Sequence, residues 1–378
     1  MRQASDAGFD LNPCGARFAA APCKSLKQED AILETDRLYT LDAMRGVAAI
    51  LVAAYHLQWI LGVVSSGYLA VDFFFMLSGV VIARAYEKRI RAGLGARSFL
   101  VARFIRLYPM FIIGFLLVSL KLVAQIILGD EEALSPAVFL ISGGLNIFML
   151  PSPVGPHDAF PFNPPAWSLF FELVINAAFV IMLAKRGVTT LVAVMAVSIL
   201  GLFAAVLAFG SLDAGWSWGG LWGGLPRVGF AFVAGMLIER SGILKRARPS
   251  WWMVAPILIL TAMLCIEPPE NLRGAIELAC VILGFPLLVI AGGIWEAPKR
   301  LRGVCEKLGL LSYPLYATHA PLLFLATPAA KYGGRVGVVA FFAAVVALAY
   351  VLGRYIDPPV RRWLNARSLA MRPQQAPC

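Results

Sequence analysis

Apolar residues in this chain gather into eleven long runs, near residues 42–63, 67–85, 106–128, 137–150, 166–184, 188–209, 219–238, 251–266, 275–294, 308–327 and 334–352. They are continuous rather than alternating, which is the pattern of helices in lipid and not of a barrel built from short two-faced strands. Most approach or exceed the length of about 20 residues that spans a hydrocarbon core. The run 137–150 is shorter, contains Gly143, Gly144 and Asn146, and leads into the proline-rich stretch 151–165. A re-entrant or interfacial element is expected there.

The polar positions between the runs set the topology. The segment Arg84 to Arg106 carries Arg84, Lys88, Arg89, Arg91, Arg97, Arg103 and Arg106 against a single acid, Glu87. Basic residues mark the cytoplasmic side. Lys185–Arg186, the Lys245/Arg246/Arg248 group, Lys299/Arg300/Arg302 and the Arg361/Arg362/Arg367 group should share it, with Asp130–Glu132, Asp213 and Glu267–Glu270 opposite. Eleven crossings break this arrangement. Ten satisfy it, if 137–150 does not span, and both termini are then cytoplasmic.

Composition agrees: 60% of the 378 residues are hydrophobic and 15% charged, with a mean hydropathy of +0.76, beyond the range of soluble domains. The expected fold class is an all-α polytopic membrane protein. The net charge of +11 sits in alternate loops, so it orients the chain in a bilayer and gives no reason to expect nucleic acid. Residues 1–36 carry Arg2, Arg17, Lys24 and Lys27 but no apolar core before a small-residue cleavage site, and read as a flexible cytoplasmic tail. The membrane domain is expected over 37–365, with a second cytoplasmic tail at 366–378. Six cysteines form no CxxC or Cys/His cluster, so neither a metal site nor a disulfide framework is expected.

Ionisable residues inside apolar runs are costly and mark sites or pathways. Arg45 and His56 lie in a run from Thr40 to Val64. Eleven helical steps of about 100° place both on one face, about 16 Å apart along the axis. Arg45 then lies near the cytoplasmic surface and His56 in the middle or outer half. A topology anchor for Arg45 and a packed histidine for His56 are the plain alternatives. Asp72, in GlyTyrLeuAlaValAspPhePhePheMetLeuSerGly, and Glu172, in AlaTrpSerLeuPhePheGlu, enter from the outer side at depths that could meet His56. A carboxylate on one imidazole nitrogen leaves the other free to take a proton. Either acid could instead pair with an arginine or a helix N-terminus. Arg103 and Arg106, one turn apart near the cytoplasm, would make a phosphate clamp or plain inside charge. Trp167, Trp216, Trp218 and Trp222 suit stacking on sugar rings, or an ordinary interfacial belt. His319 sits between Pro314 and Pro321, a position suited to packing or a hinge, and joins Trp167 as a candidate for meeting substrate. His157, in an outer loop, reads as a solvated histidine.

Five segments in order, LeuAspAlaMetArgGly with its Arg-x10-His spacing, ValAspPhePhePheMetLeuSerGly, ArgPheIleArgLeuTyrPro, AlaTrpSerLeuPhePheGlu and LeuSerTyrProLeuTyrAlaThrHisAlaPro, resemble acyltransferase family 3. These are integral-membrane enzymes that O-acylate bacterial glycans and related acceptors. The resemblance runs from about Leu38 to Asn365. It departs at Ala70, where a glycine is often found, and in lacking the C-terminal extracytoplasmic domain of some members. It implies a ten-helix domain in the bacterial inner membrane, with cytoplasmic acyl-CoA as donor, acetyl the commonest acyl group, and no metal. The acceptor would be an exopolysaccharide, lipopolysaccharide or glycolipid. His56 and Arg45 would be the essential pair, with Arg103 and Arg106 also required. His56 would act as general base or as an acyl relay, Asp72 or Glu172 would hold its ring, and the three arginines would bind donor phosphates. A proton-coupled transporter or flippase for an envelope glycan would also use buried His, Asp, Glu and Arg, but no inverted repeat is visible. A non-catalytic export scaffold explains none of these groups.

Overall fold

The computed structural model describes residues 37–155 and 158–370, with the backbone alone for 369 and 370. The expected tail 1–36, His157 and residues 371–378 lie outside the described residues. The described chain is helical apart from one parallel pair of two-residue strands, β1 (Arg248–Pro249) and β2 (Trp295–Glu296).

The helices follow the apolar runs: α1 (Tyr39–Tyr55), α2 (Ala70–Arg91), α3 (Ala96–Leu128), α4 (Pro136–Asn146), α5 (Ala166–Ile181), α6 (Val188–Phe209), α7 (Gly224–Ser241), α8 (Val254–Cys265), α9 (Glu270–Ile294, with a π turn), α10 (Arg302–Leu322) and α11 (Ala326–Val351). A further helix, α12 (Asp357–Ala370), continues into the stretch expected as the C-terminal tail. Its charge hid it from a reading of apolar runs. Among the described residues, six helical stretches are long and apolar enough to cross a membrane. The chain is an all-α membrane protein.

Two departures matter. The first run does not continue as one helix to Val64. Helix α1 stops at Tyr55, His56 is its C-cap, and a short turn, Gln58–Leu61, follows to Gly62 at φ 63°. The His56 imidazole bonds the Val52 carbonyl at 2.9 Å in competition with its own backbone N–H at 3.3 Å, and Leu57 N–H turns to Ala54 O in a tighter turn. The run 137–150 gives an 11-residue helix, capped by Ser135 and started by Pro136. The chain then folds back on it: Ser142 Oγ meets Ser152 Oγ at 2.8 Å, and Asn146 Oδ1 accepts from Phe162 N–H at 3.3 Å.

Polar contacts join the loops into two groups. Arg84 pairs with Glu239 at 2.7 Å, Arg240 with Glu87 at 3.0 Å, and Arg91 donates to Ala184 O at 2.9 Å. Glu296 accepts from the N–H groups of Tyr39 and Thr40, each at 3.1 Å, so a carboxylate caps the positive end of α1. At the other ends, Ser66 N–H reaches Leu264 O at 3.0 Å and Ala159 N–H reaches Trp216 O at 3.1 Å. The first group thus joins the segments around Arg84–Arg91, Ala184–Arg186, Arg240 and Glu296, four of the stretches in or next to which basic residues cluster.

Helices α2 and α7 form the centre, and α6 is peripheral, with Leu200 and Leu207 exposed as for lipid contact. Small residues permit the close central crossing. A Cβ on Gly79 would stand 2.1 Å from Phe232 O, and one on Gly235 would stand 2.1 Å from Met76 O. Gly235→Ala is expected to lower stability by about 1–3 kcal/mol. Gly219→Ala, at a position with open space, should leave the detergent melting midpoint unchanged. Equal midpoints for the two variants would contradict this packing.

Candidate active site

Helices α1, α2, α3, α5 and α10 surround a cavity of about 150 Å³ toward the basic end. Arg45, Arg103, Arg106 and Glu172 line it, with Ser78, Ser312 and Tyr313. Arg45 is fixed by the α1–α10 contact: its Nε donates to Ser312 Oγ at 2.9 Å, its Nη2 to Gly309 O at 3.0 Å, and Asp42 lies 3.1 Å away. Arg103 pairs with Glu172 at 2.6 Å. The Arg106 guanidinium is 3.8 Å from Asp357, too far for a hydrogen bond, and lies over the Tyr313 ring at 5.3 Å. Arg103 Nε and Arg106 Nη1 are buried without a hydrogen-bond partner.

A second cavity, of about 300 Å³, opens toward the other end. It is lined by His56, Asp158, Asp213 and the rings of Tyr55, Tyr68, Trp167 and Trp216. Its loops are zipped together: Asp158 bridges Ser217, and Trp218 Nε1 donates to Ser152 O. Val71 and Tyr316 belong to the walls of both cavities. Tyr316 is held between them, its hydroxyl 2.7 Å from Ser168 Oγ and donating to Pro165 O at 3.2 Å, its ring edge-on to Phe74 at 5.7 Å.

The imidazole of His56 is oriented by its contacts. A carbonyl can only accept, so the 2.9 Å contact with Val52 O puts the proton on Nδ1. By the same reasoning His319, at 3.0 Å from Leu315 O, is protonated at its own Nδ1, which leaves its Nε2 as an acceptor 3.3 Å from His56 Nδ1. The His56 Nε2 lone pair then remains free to take a proton, a general base in form. Asp213 faces His56 across the cavity. Burial pushes the Asp213 carboxyl above its ordinary value, against the pull of Arg227 and a hydrogen bond from Trp216.

The expected residues separate accordingly. Arg45, Arg103 and Arg106 come together, with Glu172 among them; His56 and Trp167 meet in the second cavity. Neither expected carboxylate reaches His56. Glu172 is taken by Arg103, with Ser78 Oγ donating to it at 3.2 Å. Asp72 is fully buried against Arg227, at 2.7 to 3.2 Å, and Arg227 also donates to Tyr68 O and Ala214 O and lies over the Trp167 ring. Each buried arginine needs a counter-charge at its own depth, and these acids supply it. His319, 2% exposed, lines neither cavity and stands behind His56. Trp218 and Trp222 also lie outside the cavity walls. Sequence reasoning missed Arg227, although it is an arginine within an apolar run, and missed Tyr316 and Asp213 for want of any local signal. Among the described residues no group of three or more His, Cys, Asp or Glu could hold a metal ion.

Residues 38–354 match the acyltransferase domain of acyltransferase family 3. The chain belongs to that family. It is also similar to "Protein 2 in picA locus" of Rhizobium radiobacter, with 36% identity over 185 residues, 46% of this chain and 97% of the relative. No solved structure matches the chain. Membership makes the protein a membrane acyltransferase.

The buried Asp72–Arg227 pair generates a stability test. Removing either partner, in Asp72→Leu or Arg227→Met, strands a buried charge and is expected to cost about 3–5 kcal/mol, while the double variant recovers most of that loss. Strictly additive shifts in detergent unfolding would contradict the pairing.

Proposed function

We propose that this acyltransferase moves a short acyl group, acetyl foremost, from cytoplasmic acyl-CoA to a hydroxyl of an extracytoplasmic or membrane-bound carbohydrate. The observation that carries the reading is the pair of cavities of opposite character whose walls share Val71 and Tyr316, with His56 lining the outer one. We place the chain in the bacterial inner membrane with ten crossings, α4 being the apolar helix that does not cross, and both termini in the cytoplasm. The grouping of the basic loops at one end supports that layout.

The inner cavity fits an anionic donor. Arg103 Nε and Arg106 Nη1 are buried donors without partners, and Arg45 completes a triangle of guanidiniums suited to phosphate oxygens. Bound acyl-CoA would supply the thioester carbonyl that is attacked. His56 Nε2 takes the proton from the acceptor hydroxyl as the hydroxyl oxygen attacks that carbonyl, while the His56 Nδ1–H stays on Val52 O and His319 Nε2. The thioester C–S bond then breaks and the CoA thiolate leaves inward with that proton. Asp213 steadies the imidazolium between these steps. Tyr316 and Val71 narrow the way between the cavities, so the acyl group and not the phosphates comes near His56.

Transfer of labelled acetyl from acetyl-CoA to endogenous acceptor in isolated membranes tests this, at matched protein levels. His56→Asn should lower the rate by about 10²- to 10⁴-fold. Arg106→Ala should raise the donor KM with a smaller effect on kcat. His319→Gln, which keeps an acceptor for His56 Nδ1–H, should retain more activity than His319→Ala. Normal turnover in His56→Asn would refute the mechanism.

A further inference from the structure

The two cavities differ in charge as well as in position. Three arginines and one glutamate line the inner cavity. Among the described residues, the outer cavity is lined by two aspartates and no lysine or arginine. Of the cations nearby, Arg227 is committed: its charge is paired with Asp72, and each of its three nitrogens donates to Asp72, Tyr68 O or Ala214 O. Arg273 is not among the lining residues, but its charge reaches Asp213, Tyr55 and Tyr68 as well as Glu277, so it offsets part of the carboxylate charge from behind the wall. Glu277 itself is engaged by the Tyr68 hydroxyl and by Leu212 N–H, the latter at 2.6 Å.

We propose that the outer cavity selects an acceptor without negative charge: a neutral or amine-bearing sugar ring or similar polyol, and not a uronate, sialate or phosphorylated residue. The inference rests on the transferase reading and names its acceptor class. Asp158 and Asp213 come from separate loops, tied by the Asp158–Ser217 bridge and the Ala159–Trp216 hydrogen bond, and both line the cavity that His56 lines. An anion entering that space would lose its water and gain two like-charged neighbours at low dielectric. Hydroxyls and ammonium groups would instead donate to those carboxylates in charge-assisted hydrogen bonds. Trp167 and Trp216 add aromatic wall to the cavity, suited to the apolar side of a sugar ring. The cavity volume of about 300 Å³ suits one small polar ring. The same polarity keeps the two substrates apart, because the phosphates of the donor are attracted inward and repelled outward.

The test is mass spectrometry of ester-bearing residues released from envelope glycans of cells carrying wild type, Asp213→Asn, Asp213→Lys or no copy. Membrane levels are matched, and CoA binding to each purified variant controls for folding of the inner cavity. An ester that depends on the gene and sits on a neutral or amino sugar is expected, with at least a tenfold loss in Asp213→Lys, a smaller loss in Asp213→Asn, and unchanged CoA binding. An ester on an acidic or phosphorylated sugar overturns the inference and leaves the transferase reading standing. So does full acylation in Asp213→Lys. A glycan pool with no gene-dependent ester overturns the transferase reading itself.

Discussion

Helices α1 and α10 lie so close that a Cβ on Gly46 would stand 2.5 Å from Leu308 O, and one on Gly309 would stand 2.9 Å from the Asp42 side chain. The rest of the site depends on this contact. At one end it brings Arg45 onto Gly309 and Ser312; at the other it sets His319 against His56. A single helix pair thereby fixes both the cationic floor of the inner cavity and the orientation of the imidazole in the outer one. In a bilayer, where apolar side chains gain little by leaving lipid for protein, such close backbone approach and the polar contacts it permits supply much of the association.

Charge pairing does the remaining positioning. Lipid gives no solvation to an unpaired ion, so each arginine draws an acid at its own depth: Arg103 takes Glu172, Arg227 takes Asp72, and Arg106 has Asp357 nearby. Only the first and third of these arginines keep buried donor atoms without partners, and both line the inner cavity. Arg227 has none to spare. Its role is to hold α2, α7 and the loop at Ala214 together behind Trp167, which turns that loop and its neighbour Asp213 toward His56.

What was legible in the sequence followed from periodicity and from the cost of charge in lipid. Arg45 and His56 could be found because one helix carries both, and Arg103 and Arg106 because they are one turn apart. The short 137–150 element was readable from its length and its glycines. The partners of His56 were not readable, because Asp213 and His319 lie 157 and 263 residues away and are brought in by loop and helix packing that no local pattern encodes. Asp72 and Glu172 were sensible candidates by depth alone. Depth does not say which side of a helix an acid faces, and an arginine across the interface decided it in each case. The end of α1 at Tyr55 was hidden because the residues beyond it stay apolar, so composition carries no stop signal. There the His56 side chain itself bonds the Val52 carbonyl at the last turn.

In the proposed reaction, donor and acceptor meet from opposite sides of one membrane, through two cavities whose walls share Val71 and Tyr316. Sealed vesicles of known orientation test it most directly. Labelled acetyl-CoA is supplied to one face at a time, and the side of CoA release and of ester formation is recorded. Label is expected to enter from the cytoplasmic face alone, CoA to be released on that same face, and the ester to appear on the opposite one. Equal transfer from donor supplied to the outer face would contradict it.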